Sequence, residues 1–193
     1  MKKYISILCA VALIISLYCI PMNAKFIDDD SISYGTAIDY VTEKGIMVGY
    51  ANGTFAPKDT LTRAAAAKLL CFYVLGSAAN NLPKSADAVF NDVPATHWAA
   101  AYINYCYEHN IVGGTGNGDF APEKPVTNVQ FQKMLISAMG VDDEHFHGMN
   151  WELFVTQTSF CLGLFCNMKY SVASADALNR ETAALYLYNA MTR

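Results

Sequence analysis

The sequence predicts an all-α protein of three helix–loop–helix units sharing one core. Three observations point there. Two stretches of the chain repeat each other at an offset of 65 residues. The segments flanking each repeated stretch carry apolar residues at helical spacing. A third, worn copy of those flanking helices occupies the C-terminal end. A unit copied at a fixed spacing rarely buries its apolar face alone, so the copies must pack on each other, and function is expected between them.

Residues 1–24 read as a signal peptide. Lys2 and Lys3 precede an almost unbroken apolar run over 4–20, and Pro21-Met22-Asn23-Ala24 offers a small residue before a cut. At about 17 residues the run is at the low edge for spanning a bilayer, so an uncleaved anchor is the alternative. Neither Cys9 nor Cys19 has the small residue before it that a lipoprotein site wants. Export with cleavage after Ala24 is the expectation, with no membrane contact afterwards.

The first repeat, 25–80, opens with Ile38 and Val41 on a helix that Gly45 stops. A loop follows, Gly45-Ile46-Met47-Val48-Gly49-Tyr50-Ala51-Asn52-Gly53-Thr54-Phe55-Ala56-Pro57, with an Asn52-Gly53 turn signal. Phe55 plugs it and Pro57 closes it. Thr62 is a good N-cap for the next helix, whose buried face reads Leu69, Leu70, Tyr73 and Val74. The second repeat, 88–142, matches step by step. Trp98, Tyr102, Ile103 and Cys106 precede Asn110, the turn is Asn117-Gly118, and Phe120 and Pro122 follow. Thr127 caps a helix facing inward through Met134, Leu135, Ala138 and Met139.

The third repeat, 147–193, is degenerate. Trp151 lies 12 residues before Gly163-Leu164, as Trp98 lies 12 before Asn110-Ile111. Its closing helix starts near Asn179-Arg180-Glu181 and buries Tyr186, Leu187, Ala190 and Met191. The glycine loop is replaced by 165–177. Linkers at 77–88 and 140–149 are polar or small.

Without residues 1–24 the chain has 169 residues, enough for one domain with a real core. Its 11 Lys and Arg face 17 Asp and Glu, a net charge of −6. No basic stripe exists, which argues against nucleic acid as a partner. Four cysteines remain. Cys71 and Cys106 fall in apolar helical patterns and read as small packing residues, while Cys161 and Cys166 flank Gly163 and are close enough in sequence to meet.

The residue after each capping position carries the functional argument: Arg63, Asn128 and Arg180. A cation in the first turn of a helix opposes the macrodipole, yet exposed N–H groups there favour an anion, and an arginine beside them makes a fork for a carboxylate or phosphate. The alternative is an arginine that snorkels or pairs with a nearby Asp. Asn128 follows Thr127 in a Thr-x-x-Gln130 capping box and looks structural, or a minor hydrogen-bonding lobe. Thr62, Asn52 and Gly53 complete the polar set. Trp98 and Trp151 either stack on a sugar face or pack in the core.

No catalytic constellation stands out, and neither enzyme activity nor a cofactor is expected. His145 and His147 sit beside Asp142, Asp143 and Glu144, either a metal cluster or a solvated linker. His97 caps or packs at a helix start. Asp28-Asp29-Asp30 reads as a solvated lead-in.

These motifs resemble the S-layer homology domain family. Its pattern combines Phe-x-Asp-Val, His-Trp-Ala, Gly-Ile-x-x-Gly-Tyr, Asp-Gly-Thr-Phe-x-Pro and Thr-Arg-Ala-Glu. Here these stand as Phe90-Asn91-Asp92-Val93, His97-Trp98-Ala99, Gly45-Ile46 to Gly49-Tyr50, Asn52-Gly53-Thr54-Phe55-Ala56-Pro57 and Thr62-Arg63-Ala64-Ala65. The resemblance implies a pseudo-threefold helical domain that binds acidic, often pyruvylated, secondary cell-wall polysaccharide and holds exported proteins to the cell surface. It also implies that Arg63 helps line the glycan groove. Ala65 replaces the glutamate, Asn128 replaces an arginine and the third loop is lost, so one or two grooves are expected to be inactive. The competing reading is an exported scaffold that binds another envelope protein. As a ligand-binding residue at an exposed helix start, Arg63 is expected to be replaceable by alanine without loss of thermal stability.

Overall fold

The computed structural model describes residues 26–83, 88–141, 146 and 148–193. The expected signal peptide at 1–24, the acidic run 142–144 and both His145 and His147 lie outside the described residues. Six α-helices carry the described chain: α1 Gly35–Glu43, α2 Arg63–Leu75, α3 Ala100–Glu108, α4 Asn128–Ala138, α5 Trp151–Cys161 and α6 Arg180–Met191. Short 3-10 turns cover Asp29–Ser31 and Gly76–Asn81. Only isolated β-bridges are present among the described residues, so the fold class is all-α.

Local chemistry sets the helix ends. Thr62 accepts from the Ala65 N–H, Thr127 forms a full capping box with Gln130, and Asn179 accepts from the Thr182 N–H. The opening helices all stop alike. Gly45, Asn110 and Gly163 adopt positive φ of 69°, 56° and 71°, and the next residue's N–H reaches back to Val41, Cys106 and Ser159. That is the Schellman arrangement, which suits glycine or asparagine and little else.

The unit of repetition is not the unit of packing. Each closing helix packs on the opening helix of the following unit: α2 on α3, α4 on α5, and α6 back on α1. A single hydrophobic cluster runs through all three units, from Ile38 and Phe55 through Ile103 and Phe120 to Leu178 and Leu187. At its centre three backbone hydrogen bonds close a cycle. The Leu61 N–H donates to the Leu178 carbonyl at 2.9 Å, Leu178 to Val126 at 2.8 Å, and Val126 to Leu61 at 2.9 Å. All three residues are buried.

Two further cycles satisfy the helix starts. The N–H groups of Arg63, Asn128 and Arg180 donate to the carbonyls of Lys124, Asp176 and Asp59. Those of Ala64, Val129 and Glu181 donate to Pro122, Ser174 and Pro57. The first two orphan donors of every closing helix therefore end on the loop of the following unit, and the third on a cap side chain.

Several residues fall differently from the sequence expectation. Val74 is 41 % exposed, because α2 turns its Ala66, Ala67 and Cys71 face inward instead. Phe146, in a linker read as polar, is buried. Asp28 is no idle lead-in. Its carboxylate accepts the Phe55 N–H at 2.9 Å and the Ala56 N–H at 2.7 Å, as Asp92 does for Phe120 and Ala121. Those bonds hold Ala56 and Ala121 at φ of 53° and 59°, a strained region for alanine. Phe26-Ile27-Asp28 is thus the first copy of Phe90-Asn91-Asp92. Phe26 and Phe90 also explain Gly49 and Gly114, where an added Cβ would lie 2.5 Å and 3.0 Å from the respective ring.

Desolvation alone would raise the Asp28 pKa, but the Phe55, Ala56 and Asp28 N–H groups and the Arg180 charge together outweigh it and hold the carboxyl below its usual 3.8. A lowered native pKa means the unfolded state binds the proton more tightly. The contribution is therefore complete above about pH 3.8 and is lost as pH falls through the native value. An Asp28→Asn variant should melt lower than the parent at neutral pH, with the gap narrowing in acid. Thermal melts across that pH range check this, and a gap that widens in acid would refute it.

Candidate functional site

Arg63 and Arg180 occupy equivalent places and make equivalent bonds. The Arg63 Nε–H donates to the Phe120 carbonyl at 2.8 Å and Nη2 to Gly113 at 2.9 Å. The Arg180 Nε–H donates to Phe55 at 2.8 Å and Nη2 to Val48 at 2.9 Å. Each guanidinium also lies over the ring of the phenylalanine it bonds, at 4.5 Å for Arg63 and 4.7 Å for Arg180. Asn128 serves the third loop, its amide donating to Ala173 at 3.2 Å and Asp176 at 3.0 Å. In cyclic order, each residue grips the loop of the following unit.

This geometry corrects the anion argument. The N–H groups at the three helix starts have backbone or cap partners, so the helix N-terminus offers no free cradle. Arg63 is only 5 % exposed and Arg180 9 %. Burial lowers the pKa of both guanidiniums, with Asp92 opposing the shift at Arg63, yet arginine stays charged at any physiological pH. Two of the five N–H donors of Arg63 are engaged, and the residue still lines a cavity.

That cavity, about 490 Å³, lies between the second and third units. The loop residues Gly113, Gly114 and Thr115 form one wall, Gln130, Lys133 and Met134 of α4 another, and Trp151 and Phe146 a third. Arg63, Lys124 and Lys133 bring three cations to it, and the described lining residues include no carboxylate. Lys133 donates to the Phe146 carbonyl at 2.9 Å and its Nζ stands 5.8 Å from the Trp151 ring centroid. Arg63 and Trp151, far apart in sequence, share this groove.

The other candidates scatter. Thr62 is committed to its cap. Asn52 accepts from the Thr54 N–H and hydroxyl at the tip of the loop held by Arg180, with Gly53 beside it at φ 83°. Trp98 is 54 % exposed rather than packed, because α3 begins only at Ala100 and leaves it ahead of the helix. His97 accepts the Ala99 N–H just ahead of α3 and faces Glu123 at 3.2 Å. Among the described residues no cluster of three or more His, Cys, Asp or Glu side chains is placed to hold a metal.

Lys124 and Lys133 were not singled out in the sequence. A signal for Lys133 existed, since Lys68 and Lys133 keep the 65-residue offset five positions after Arg63 and Asn128.

Removing the Arg63 side chain leaves the buried Phe120 carbonyl without its donor. The cost should be about 2–3 kcal/mol, reversing the expectation of unchanged stability. Arg63→Ala and Arg180→Ala should each lower Tm by roughly 4–12 °C, measured by calorimetry. Unchanged Tm values would mean that the clamps carry no weight.

Comparison with known proteins places this geometry. The S-layer homology domain profile matches residues 25–67 and 89–127. A cellulosome-anchoring protein of Acetivibrio thermocellus is 39 % identical over 85 residues, covering 44 % of this chain and 19 % of that protein. An uncharacterized cell wall amidase of Bacillus anthracis is 33 % identical over 141 residues, 71 % of this chain and 25 % of that protein. The S-layer protein EA1 of the same organism is 31 % identical over 122 residues, 62 % of this chain and 13 % of that protein. The matched region thus spans a quarter or less of each of these relatives.

Proposed function

The chain is an S-layer homology domain protein, and from that premise we propose that it is a non-covalent cell-wall attachment module on the outer cell surface. Its ligand is an acidic secondary cell-wall polysaccharide, with pyruvylated sugars as the best fit. The observation that carries this reading is the groove itself. Arg63, Lys124 and Lys133 converge beside an indole in a cavity of about 490 Å³. A sugar ring stacks on an indole face, and a carboxylate on that sugar meets charged N–H donors. A carboxylate hydrogen-bonded to a cation gains roughly 1.5–3 kcal/mol, enough for selection between acidic and neutral sugars.

The relatives support attachment rather than catalysis. An anchoring protein, an S-layer protein and a wall amidase share with this chain only the matched region, which is what a common attachment module on different cargoes looks like. We read the chain accordingly as non-enzymatic. The domain limits follow the repeats, 25–80, 88–142 and 147–193, after a signal peptide at 1–24. The groove between the second and third units is the principal site, with Arg63 at its base and Lys124 and Lys133 as the accessible charges. Arg180, whose guanidinium lies 4.7 Å from the Tyr50 ring centroid, is the second contact residue, and Asn128 a minor one.

The test uses exposed groove residues, because Arg63 also holds the fold. Lys124→Glu should weaken retention on purified wall sacculi at least tenfold while Tm stays within about 1 °C. Retention should also fall with rising salt. A protein-binding scaffold predicts the opposite pattern: retention survives Lys124→Glu and survives extraction of the polysaccharide from the sacculi. Either result would remove the glycan reading.

A further inference from the structure

Cys71 on α2 and Cys106 on α3 are both wholly buried, and their Sγ atoms stand 3.5 Å apart. Each thiol donates to a carbonyl of the opposite helix, Cys71 to Tyr102 and Cys106 to Ala67, both at 3.4 Å. The pair therefore joins the closing helix of the first unit to the opening helix of the second.

Packing alone does not call for sulfur here. The repeat puts Ile136 and Tyr188 where Cys71 stands, and Val41 and Ser159 where Cys106 stands. The other two helix pairs of the same architecture close without a cysteine at either position. Only at α2–α3 do both become cysteine, and there they face each other. A bonded pair needs an S–S distance of about 2.0 Å, so the two sulfurs have only about 1.5 Å to close.

We propose that Cys71 and Cys106 are a covalent modification site, joined as a disulfide across the α2–α3 interface in the exported protein. The oxidant is a disulfide of the surroundings, on a small molecule or on a protein. One thiol loses its proton and attacks that disulfide, forming a mixed disulfide and expelling a thiolate that takes up the proton. The second cysteine then attacks the first cysteine's sulfur and expels the second thiolate, which is protonated in turn. Two protein thiols become one disulfide, and one external disulfide becomes two thiols. The neighbouring Cys71 thiol and burial push the Cys106 thiol well above its usual range, so the thiolate is scarce in the folded chain. The bond forms during folding, before the interface closes.

The exposed Cys161 and half-buried Cys166 are free thiols and would confuse the measurement. The test therefore uses the full chain carrying Cys161→Ser and Cys166→Ser, recovered from an exporting bacterium. Alkylation with N-ethylmaleimide in denaturant should label neither Cys71 nor Cys106 until a reductant is added. Peptide mapping should find the two joined. Labelling of both before reduction would overturn the proposal.

A second measurement tests the same bond in vitro. The reduced chain, refolded with oxidised glutathione, should melt about 10 °C higher than without it, since the bond closes a span of 35 residues. Cys71→Ala and Cys106→Ala should each abolish that shift. No shift in the parent, or glutathione adducts in place of the internal bond, would also overturn it. Neither readout involves wall retention, so the attachment reading stands or falls separately.

Discussion

Three backbone hydrogen bonds arranged head to tail through Leu61, Leu178 and Val126 are the constraint on which the remaining structure depends. Each unit supplies one donor and one acceptor, and no unit can satisfy its own. A buried N–H or carbonyl without a partner costs roughly 1–3 kcal/mol, so removing one unit leaves orphaned groups on both others. The two outer cycles, at Arg63, Asn128, Arg180 and at the residues after them, extend the same logic to the helix starts. This accounts for the persistence of the third unit as a closing element. Its glycine loop is gone, yet Leu178, Asn179 and Arg180 keep the positions that close the cycle.

Arginine after the capping residue has two roles that pull in different directions. Arg63 and Arg180 fix the following loop through two carbonyls and a phenylalanine face. Burial at that depth disfavours a guanidinium and lowers its pKa, while the carbonyl hydrogen bonds and nearby acidic groups, Asp92 for Arg63 and Asp59 and Asp28 for Arg180, oppose that cost. Such a residue is rigidly placed, which suits a ligand site, but it cannot be altered without loosening the loop. Asn128 shows the reduced form of the same clamp. Its amide still reaches Ala173 and Asp176 while carrying no charge, and its buried Oδ1 has no hydrogen-bond partner among the described residues.

The loops themselves are held from two sides. From below, Asp28 and Asp92 cap the N–H pairs of Phe55-Ala56 and Phe120-Ala121. From across the interface, the arginines take the Phe55 and Phe120 carbonyls. Phe55 and Phe120, both fully buried, are thus fixed through N–H, carbonyl and ring at once. A glycine-rich loop is normally the mobile part of a fold. Here its walls are fixed by hydrogen bonds from two sides, so a ligand meeting them would incur little ordering cost.

Much of this was legible in the order of residues. The Asn-Gly turns, the Thr62 and Thr127 caps and the helix stops at Gly45, Asn110 and Gly163 are local signals. Each acts within four or five residues, so sequence spacing carries them, and together they determined the helical class. What the tertiary structure decided is which unit meets which. Arg63 touches Gly113 and Phe120, and Trp151 joins Arg63 across 88 positions of sequence, because α2 packs on α3 of the next unit rather than on its own partner. No periodicity encodes that pairing. The sequence supplied residues with unmatched donors, and the closed cycle of the fold settled where those donors end.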